Sequence, residues 1–249
     1  RYIPYRQKMK KLPWFYLPKL DARPGSAVLA ADESRHLARS RRLRIGSEIV
    51  VFNGLGTTAT AKIVDISERR ARVAIELTAY AYHIEGRVRV HLAAALPKGD
   101  RQIVMLDMAS QIGMTDFTPL LCEHSVAKFS VRSAARWQKT CLEACKQSRR
   151  PWVPRLHQPK QLPEMFNTGG KAGRVTWLAD PRGGNVTAVQ KVGFDELILL
   201  VGPEGGFSPG EWELLSDADI VPVTLAKSVL RTETAAVAMV SAAVTRLGI

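Results

Sequence analysis

The sequence predicts two folds in succession, a small β-barrel followed by an α/β domain with a parallel sheet. Before residue 80, several short strand patterns lie close together, which is typical of a small barrel. From residue 88 onward, short apolar runs alternate with helical patterns, as in a sheet covered by helices. Two of these runs, residues 197–201 and 220–225, are each followed by a glycine-rich or polar loop. Such bounded apolar runs indicate buried parallel strands.

The first part of the chain carries four strand patterns, at residues 26–29, 48–52, 58–66 and 71–77. Asn53, Gly54, Leu55 and Gly56 separate the second from the third and predict a hairpin turn. Apolar and polar residues alternate in parts of the last two patterns, which favours strands with one buried face. We expect residues 81–87 to be a linker.

The second part alternates strands with helices. Besides the two runs above, strands are predicted at residues 88–96, 116–121 and 175–179, and helices at 101–112, 132–150 and 232–247. Ser208 and Glu211 form a capping box around Pro209, so a further helix begins there. The last helix is rich in alanine and valine, which predicts a closely packed, buried helix.

The loops after residues 201 and 225 are the predicted ligand site, because open α/β sheets bind ligands at the carboxyl ends of their strands. Gly202, Gly205 and Gly206 let the backbone approach a ligand closely. The glycines alone leave a tight turn without a ligand as an equal alternative. No Gly-Lys-Ser/Thr follows them, which excludes a P-loop, and the G-x-G-x-x-G spacing of dinucleotide sites is absent.

Composition indicates a globular protein with a polyanionic partner. The chain has 249 residues and a formal net charge of +13, an excess that favours nucleic acid over solubility alone. The sequence shows no apolar run of membrane-spanning length and no signal-peptide pattern, so we expect a cytoplasmic protein without a membrane partner. Cys122, Cys141 and Cys145 form no C-x-x-C pattern and are expected to be buried thiols.

Two motifs in the ligand loops carry a specific resemblance. GPEGGFS at residues 202–208 and VLRTETA at residues 229–235 are very similar, in order and spacing, to the paired motifs of the RsmE family. These are SPOUT-class methyltransferases that use S-adenosylmethionine to methylate N3 of a uridine in 16S ribosomal RNA. The resemblance begins at Met9, which leaves residues 1–8 as an upstream extension or an artificial remnant.

The resemblance implies the fold in detail. A PUA-like β-barrel would occupy residues 9–80, and an α/β SPOUT domain with a carboxyl-terminal trefoil knot would occupy residues 88–249. The family also implies a homodimer that acts on 16S rRNA, most simply within the 30S subunit. Methyl transfer from a sulfonium needs no metal, and we predict none.

The family's cofactor contacts transfer to the two loops. The implied S-adenosylmethionine-binding residues are Leu200, Val201, Gly202, Pro203, Glu204, Gly205, Gly206, Leu225, Ala226, Ser228, Leu230 and Thr232. Arg231 and Glu233 are the catalytic candidates. The Arg231 guanidinium would stabilise charge on the imide oxygens, and Glu233 would accept a proton or orient Arg231. Alternatively, Glu233 is a first-turn carboxylate that complements the helix dipole.

Arginines supply the predicted RNA contacts. Five of them lie within ten residues, and a sixth lies on the helix at 132–150; they are Arg35, Arg39, Arg41, Arg42, Arg44 and Arg136. Arginine matches phosphate geometry, although a solvated basic face is the alternative. On the same helix, Lys146 replaces a glutamate usual in the family and would add positive charge.

Three positions depart from the family pattern in the predicted pocket. Asp180 stands where histidine is common, Ala226 replaces a glycine, and Ser228 replaces a common arginine. We therefore keep two alternatives to 16S rRNA (uridine-N3) methylation. One is a SPOUT methyltransferase for transfer RNA or large-subunit RNA, and the other is a non-catalytic RNA-binding or ribosome-assembly protein.

Overall fold

The computed structural model describes residues 12–20, 23, 25–40, 43–67, 72–166, 173–186 and 193–248, without the side chains of residues 38–40. The chain divides into two compact units. One extends to Glu85 and includes Cys145–Val153, and the other comprises Gly86–Ala144 and Pro154–Ile249. Two details differ from the predicted boundaries. The strand predicted at residues 71–77 continues to Tyr82, into the predicted linker, and the segment after Ala144 belongs to the first unit.

Within the described residues, the first unit contains a five-stranded sheet and one helix. These are β1 (Trp14–Tyr16), β2 (Gly25–Val28), α1 (Ala31–Ser40), β3 (Glu48–Phe52), β4 (Thr57–Ser67) and β5 (Arg72–Tyr82). The strand order is β1-β3-β4-β5-β2, with β1 parallel to β3 and the other neighbours antiparallel. Leu37 of α1 packs with Ile49, Ile63 and Ile75 in the core of this unit. The alternation in β4 and β5 supplies the inward side chains of Ile63 and Ile75.

A buried ion pair lies inside the first unit. The Lys146 ammonium is 2.7 Å from Glu33 Oε1, and both side chains are less than a tenth exposed. Glu33 Oε2 also accepts a hydrogen bond from the Tyr16 amide. The charge that Lys146 adds is therefore buried and paired with Glu33 inside this unit rather than exposed to solvent.

The second unit is an α/β sheet whose described strand pairings are all parallel. Its strands are β6 (Arg89–Ala95), β7 (Asp116–Leu121), β8 (Arg155–Leu156), β9 (Lys160–Gln161), β10 (Arg174–Asn185), β11 (Glu196–Val201) and β12 (Ile220–Thr224). Its helices are α2 (Arg101–Ile112), α3 (Val131–Ser148, whose end belongs to the first unit), α4 (Leu162–Phe166), α5 (Pro209–Asp217) and α6 (Thr232–Leu247). The sheet order is β12-β10-β11-β6-β7-β8, with β9 also pairing β7.

Side-chain alternation divides the sheet into two covered faces. Ala93, Ile198 and Leu200 pack with Leu162 of α4 and Leu215 of α5. On the other side, α6 packs against β6, β11 and α2. The alanines of α6 permit this close approach, and a Cβ on Gly113 at the end of α2 would lie 2.8 Å from Val244. The trefoil knot remains a prediction of the resemblance.

Charged residues form a network where the strands of this sheet begin. Glu196 lies 3.2 Å from His91 Nδ1 and accepts hydrogen bonds from Arg174, while Arg89 lies within 3.3 Å. The hydrogen bond from His91, together with the charges of Arg174 and Arg89, outweighs burial and lowers the pKa of Glu196 to about 2. Burial also raises the pKa of Asp116, but hydrogen bonds from Arg155, His157 and Thr115 outweigh it and hold that pKa well below its usual range.

The remaining composition-based expectations concern thiols and membranes. The described cysteines, Cys122, Cys141 and Cys145, are all buried free thiols, as predicted. Trp137 is 2% exposed and packs edge-on against Phe117, so it belongs to the core. Across the described ranges, no helix has the length and apolar character needed to span a membrane.

We expect the second unit to lose stability in acid through Glu196. A lowered folded-state pKa means that Glu196 contributes stability above its ordinary pKa of about 4.5, and that this is lost as the pH falls towards about 2. The loss is on the order of 3 kcal/mol for a pKa shift of this size. Urea denaturation at a series of pH values measures it.

Two variants isolate this contribution. Glu196→Gln removes the titrating carboxylate, so its unfolding free energy should be lower at neutral pH and should fall less between pH 4.5 and 2. Asp195→Asn is the matched control, because Asp195 is the exposed neighbour of Glu196 and should leave the slope unchanged. Equal slopes for wild type and Glu196→Gln would contradict the assignment.

Candidate active site

A cavity of about 230 Å³ lies at the carboxyl ends of three adjacent strands of the second unit. Because β10 pairs with both β11 and β12, the segments that leave these strands are neighbours. The loop after β11 is residues 202–208, and the loop after β12 is residues 225–231; we call them the first and second loop. The cavity therefore forms where topology predicts a ligand site in an open α/β sheet.

The first loop is shaped by glycines and by the helix that follows it. A Cβ on Gly202 would lie 2.7 Å from the Phe207 ring, so the close packing of that ring requires glycine. Gly206 has a φ of +75°, in the left-handed region. The predicted capping box is confirmed, since Ser208 accepts from the Glu211 amide and Glu211 accepts from the Ser208 amide. The loop is thereby held at the start of α5.

The second loop connects to the first through the start of α6. Thr232 is buried, and its hydroxyl donates a hydrogen bond of 3.2 Å to the Gly202 carbonyl. Arg231 precedes it as the N-cap residue of α6, and its side chain makes no capping hydrogen bond. The Arg231 side chain is exposed, next to the cavity rather than in its lining.

Aromatic and charged groups complete one wall of the cavity. Phe207 and Trp212 meet edge-to-face with ring centroids 5.6 Å apart, and both line the cavity. The Arg182 guanidinium lies 4.8 Å from the Trp212 ring centroid and donates hydrogen bonds to Asp180. Burial raises the pKa of Asp180, but these hydrogen bonds outweigh it and lower that pKa below its ordinary value. Asp180 is therefore an ionised, paired carboxylate in the wall.

Most of the residues predicted to bind the cofactor line the cavity. They are Val201, Gly202, Pro203, Glu204, Gly206, Leu225, Ala226, Ser228, Leu230 and Thr232. The structure does not place Leu200 or Gly205 in the lining. The Leu200 side chain lies on the opposite face of the sheet from that of Val201 and packs in the core with Leu215. Gly205 faces His124.

Sequence reasoning missed several lining residues. They are Ala179, Pro181, Phe207, Trp212, Val223, Thr224, Val229 and Ala235; Asp180 also lines the cavity, at a position that the family resemblance places in the pocket. Trp212 lies on α5, beyond the first motif, and Ala235 is the last residue of the second motif, on α6. Their positions on the helical turn could have indicated that Trp212 and Ala235 face the loops. No local pattern in the sequence marks Ala179 of β10 as a lining residue.

The two catalytic candidates have different surroundings. Arg231 is exposed, whereas the Glu233 side chain is only 13% exposed. Glu233 Oε2 is buried and has no hydrogen-bond partner within the described residues. Glu233 Oε1 lies 3.7 Å from Arg101 Nε, and Arg101 also donates to Glu204 at 2.9 Å. Arg101, at the start of α2, was not among the predicted site residues.

Six arginines are predicted to bind RNA, and the structure describes the side chains of three of them. Arg35 and Arg44 are exposed on the first unit. Arg136 is exposed on the second unit, where it donates to Asp100 at 3.0 Å. The Arg39 side chain and residues Arg41 and Arg42 lie outside the described residues. No cluster of potential metal ligands is found within the described ranges.

Comparisons with known proteins identify the class. A family model described as an RNA methyltransferase domain matches residues 85–244, and one described as an RNA methyltransferase PUA domain matches residues 29–76. The chain is thus an RNA methyltransferase with an α/β catalytic domain and a preceding PUA-like domain.

Curated relatives identify the family. The chain is 30% identical over 233 residues to "Ribosomal RNA small subunit methyltransferase E" of Mycobacterium bovis, covering 89% of this chain and 87% of the relative. The Bacillus subtilis protein of the same name is 28% identical, covering 86% and 88%. This chain belongs to the ribosomal RNA small subunit methyltransferase E family.

Solved structures agree with this assignment. The crystal structure of a ribosomal RNA small subunit methyltransferase E from Neisseria gonorrhoeae bound to S-adenosyl methionine matches with a TM-score of 0.84 and 27% identity, covering 94% of this chain and 97% of that one. A probable rRNA-methyltransferase from Porphyromonas gingivalis matches with a TM-score of 0.80 and 30% identity, covering 95% and 99%. The expected SPOUT architecture with a PUA-like domain is confirmed.

We expect Gly183→Ala to deform the cavity, because an added Cβ would lie 2.5 Å from the Val223 amide nitrogen and force β10 away from β12. A clash of this kind costs about 1–3 kcal/mol, which lowers Tm by roughly 2–12 °C in a protein of this size. Gly184→Ala is the matched control, since nothing lies within 4 Å of its added Cβ. Equal Tm values for the two variants would contradict the close strand approach.

Proposed function

We propose that this chain transfers a methyl group from S-adenosylmethionine to N3 of a uridine in 16S rRNA of the small ribosomal subunit. The cavity between the two motif-bearing loops carries the proposal, because it joins residues about two dozen positions apart into one small-molecule site. A relative with the same overall fold was crystallised with S-adenosyl methionine.

The lining of the cavity suits this cofactor. Val201, Leu225 and Leu230 offer apolar surface, and Phe207 and Trp212 add aromatic faces, as a purine and a methylene chain require. The carboxylates of Asp180 and Glu204 also line it, and negative groups suit a ligand that carries a sulfonium and an ammonium. Gly202 and Gly206 expose backbone groups for hydrogen bonding.

The bound cofactor supplies an electrophilic methyl group, and the protein must supply position and proton transfer. N3 of uridine is a weakly acidic imide nitrogen and is a poor nucleophile while protonated. Arg231 is exposed beside the cavity, where its guanidinium can stabilise negative charge on the imide oxygens. Glu233 follows on the first turn of α6, next to the lining residue Thr232 but not itself in the lining, and its buried carboxylate oxygen is the proposed acceptor of the N3 proton.

The partners follow from charge and surface. A formal net charge of +13 supports binding to rRNA through phosphate neutralisation, with Arg35, Arg44 and Arg136 as exposed contacts. The 30S subunit, a homodimer and a cytoplasmic location belong to the same proposal. Val104 and Met108 lie one turn apart on α2 and are each 46% exposed, which is apolar surface that a second copy would cover.

The test combines binding with product analysis. Isothermal titration measures S-adenosylmethionine binding, and labelled methyl transfer to unmodified 30S subunits is followed by mass mapping of the nucleoside. We expect binding and 3-methyluridine in 16S rRNA. A different methylated nucleoside would overturn the substrate, and absence of cofactor binding would favour a non-catalytic RNA-binding protein.

Arg231→Ala should lower kcat about 10²–10³-fold, the usual cost of removing a donor that stabilises a developing oxyanion. S-adenosylmethionine affinity should be unchanged, because the Arg231 side chain is not part of the cavity lining. Lys227→Ala is the matched control, since Lys227 is an exposed cation in the same loop. Full activity of Arg231→Ala would remove Arg231 from this role.

A further inference from the structure

Arg101 connects the two loops of the candidate active site from a third element. It is the first residue of α2, which follows β6, and its side chain is 40% exposed. One guanidinium nitrogen, NH1, donates to Glu204 Oε1 of the first loop at 2.9 Å. Its Nε lies 3.7 Å from Glu233 Oε1, at the start of the helix that follows the second loop. One side chain therefore faces a carboxylate from each motif.

The location of Arg101 is electrostatically unfavourable for the helix that carries it. The first turn of a helix favours negative charge, yet α2 begins with this cation and has no acidic residue in its first turn. The preceding Asp100 makes no side-chain cap and is instead bonded to Arg136. Because Arg101 does not stabilise α2, its contacts with Glu204 and Glu233 better explain why an arginine occupies this position.

The two oxygens of Glu233 are in different situations. Oε1 faces the Arg101 guanidinium, whereas Oε2 is buried and has no hydrogen-bond partner among the described residues. A buried carboxylate oxygen without a donor is costly unless a ligand supplies one. Arg101 attracts Oε1 across 3.7 Å and so favours the rotation of the carboxylate group that turns Oε2 away from the guanidinium.

We propose that Arg101 is a positioning residue that holds Glu233 so that its Oε2 receives the N3 proton of the target uridine. This inference rests on the proposed function. As the N3–H bond breaks, the proton passes to Oε2 and the nitrogen pair forms the new N–CH₃ bond. The S–CH₃ bond breaks with its electron pair remaining on sulfur, which leaves S-adenosylhomocysteine neutral at sulfur. Arg101 touches neither reacting atom and acts through Glu233.

The test compares two substrates that differ in N3 acidity. Fluorine at C5 of uracil withdraws electrons and makes N3–H more acidic, so transfer to 5-fluorouridine depends less on proton removal. The substrates are 30S subunits reconstituted with 16S rRNA transcribed with either uridine or 5-fluorouridine triphosphate. For each variant, the measured quantity is kcat relative to wild type on the same substrate.

We expect Arg101→Met to lower kcat on the uridine substrate by roughly tenfold to a hundredfold, the loss typical of a misplaced reacting group. The loss should be much smaller on the 5-fluorouridine substrate, and Arg101→Lys should recover part of the rate on uridine. The Glu233→Gln variant should show the same substrate dependence. Adding Arg101→Met to Glu233→Gln should cost little more, because both changes remove one function.

Glu204→Gln separates the two contacts of Arg101. Glu204 lines the cavity, so this variant should weaken S-adenosylmethionine binding in a titration, and its kcat relative to wild type should be the same on both RNA substrates. Equal losses for Arg101→Met on both substrates would overturn the inference and assign Arg101 a structural role, as would wild-type activity of that variant. Failure of the wild-type protein to methylate either substrate would instead refute the proposed function.

Discussion

The parallel pairing of β10 with both β11 and β12 is the constraint on which the candidate site depends. It brings the ends of three strands to one edge, although β12 follows β11 in the chain and lies beyond β10 in the sheet. The hydrogen bond from Thr232 to Gly202 then joins the two loops directly. Gly183 permits the closest part of this approach, since its hydrogen atoms lie where a Cβ would meet the backbone of Pro222 and Val223.

Glu233 differs from the other carboxylates of the sheet edges, because Asp180 and Glu204 at the cavity are also paired with arginines. Where the strands begin, Glu196 and Asp116 are paired with arginines and histidines, which fixes neighbouring strands. Where the strands end, Glu233 keeps one buried oxygen without a partner within the described residues. Satisfied carboxylates stabilise a fold, whereas an unsatisfied one is retained where a ligand can supply the missing donor.

Two of the positions at which this chain departs from its family pattern, Asp180 and Lys146, are each paired with an opposite charge. Asp180, which stands where histidine is common, is paired with Arg182, and Arg182 in turn stacks on Trp212. The negative charge of Asp180 and the positive charge of Arg182 therefore lie two residues apart on the same strand, β10. Lys146, which replaces a usual glutamate, is likewise paired with Glu33 inside the first unit.

Although β1, α1, β8, β9 and α4 were not predicted, the sequence by itself determined most of the strands and helices that build the site, the capping box at Ser208 and the two loops that form the cavity. These features depend on local periodicity and on motifs, which are contained in short stretches of chain. Tertiary structure alone decided that Leu200 packs in the core, that Trp212 joins the wall of the cavity, and that Arg101 meets Glu233. The order of the strands within the sheet brings these residues together across large separations in sequence, and no local pattern encodes that order.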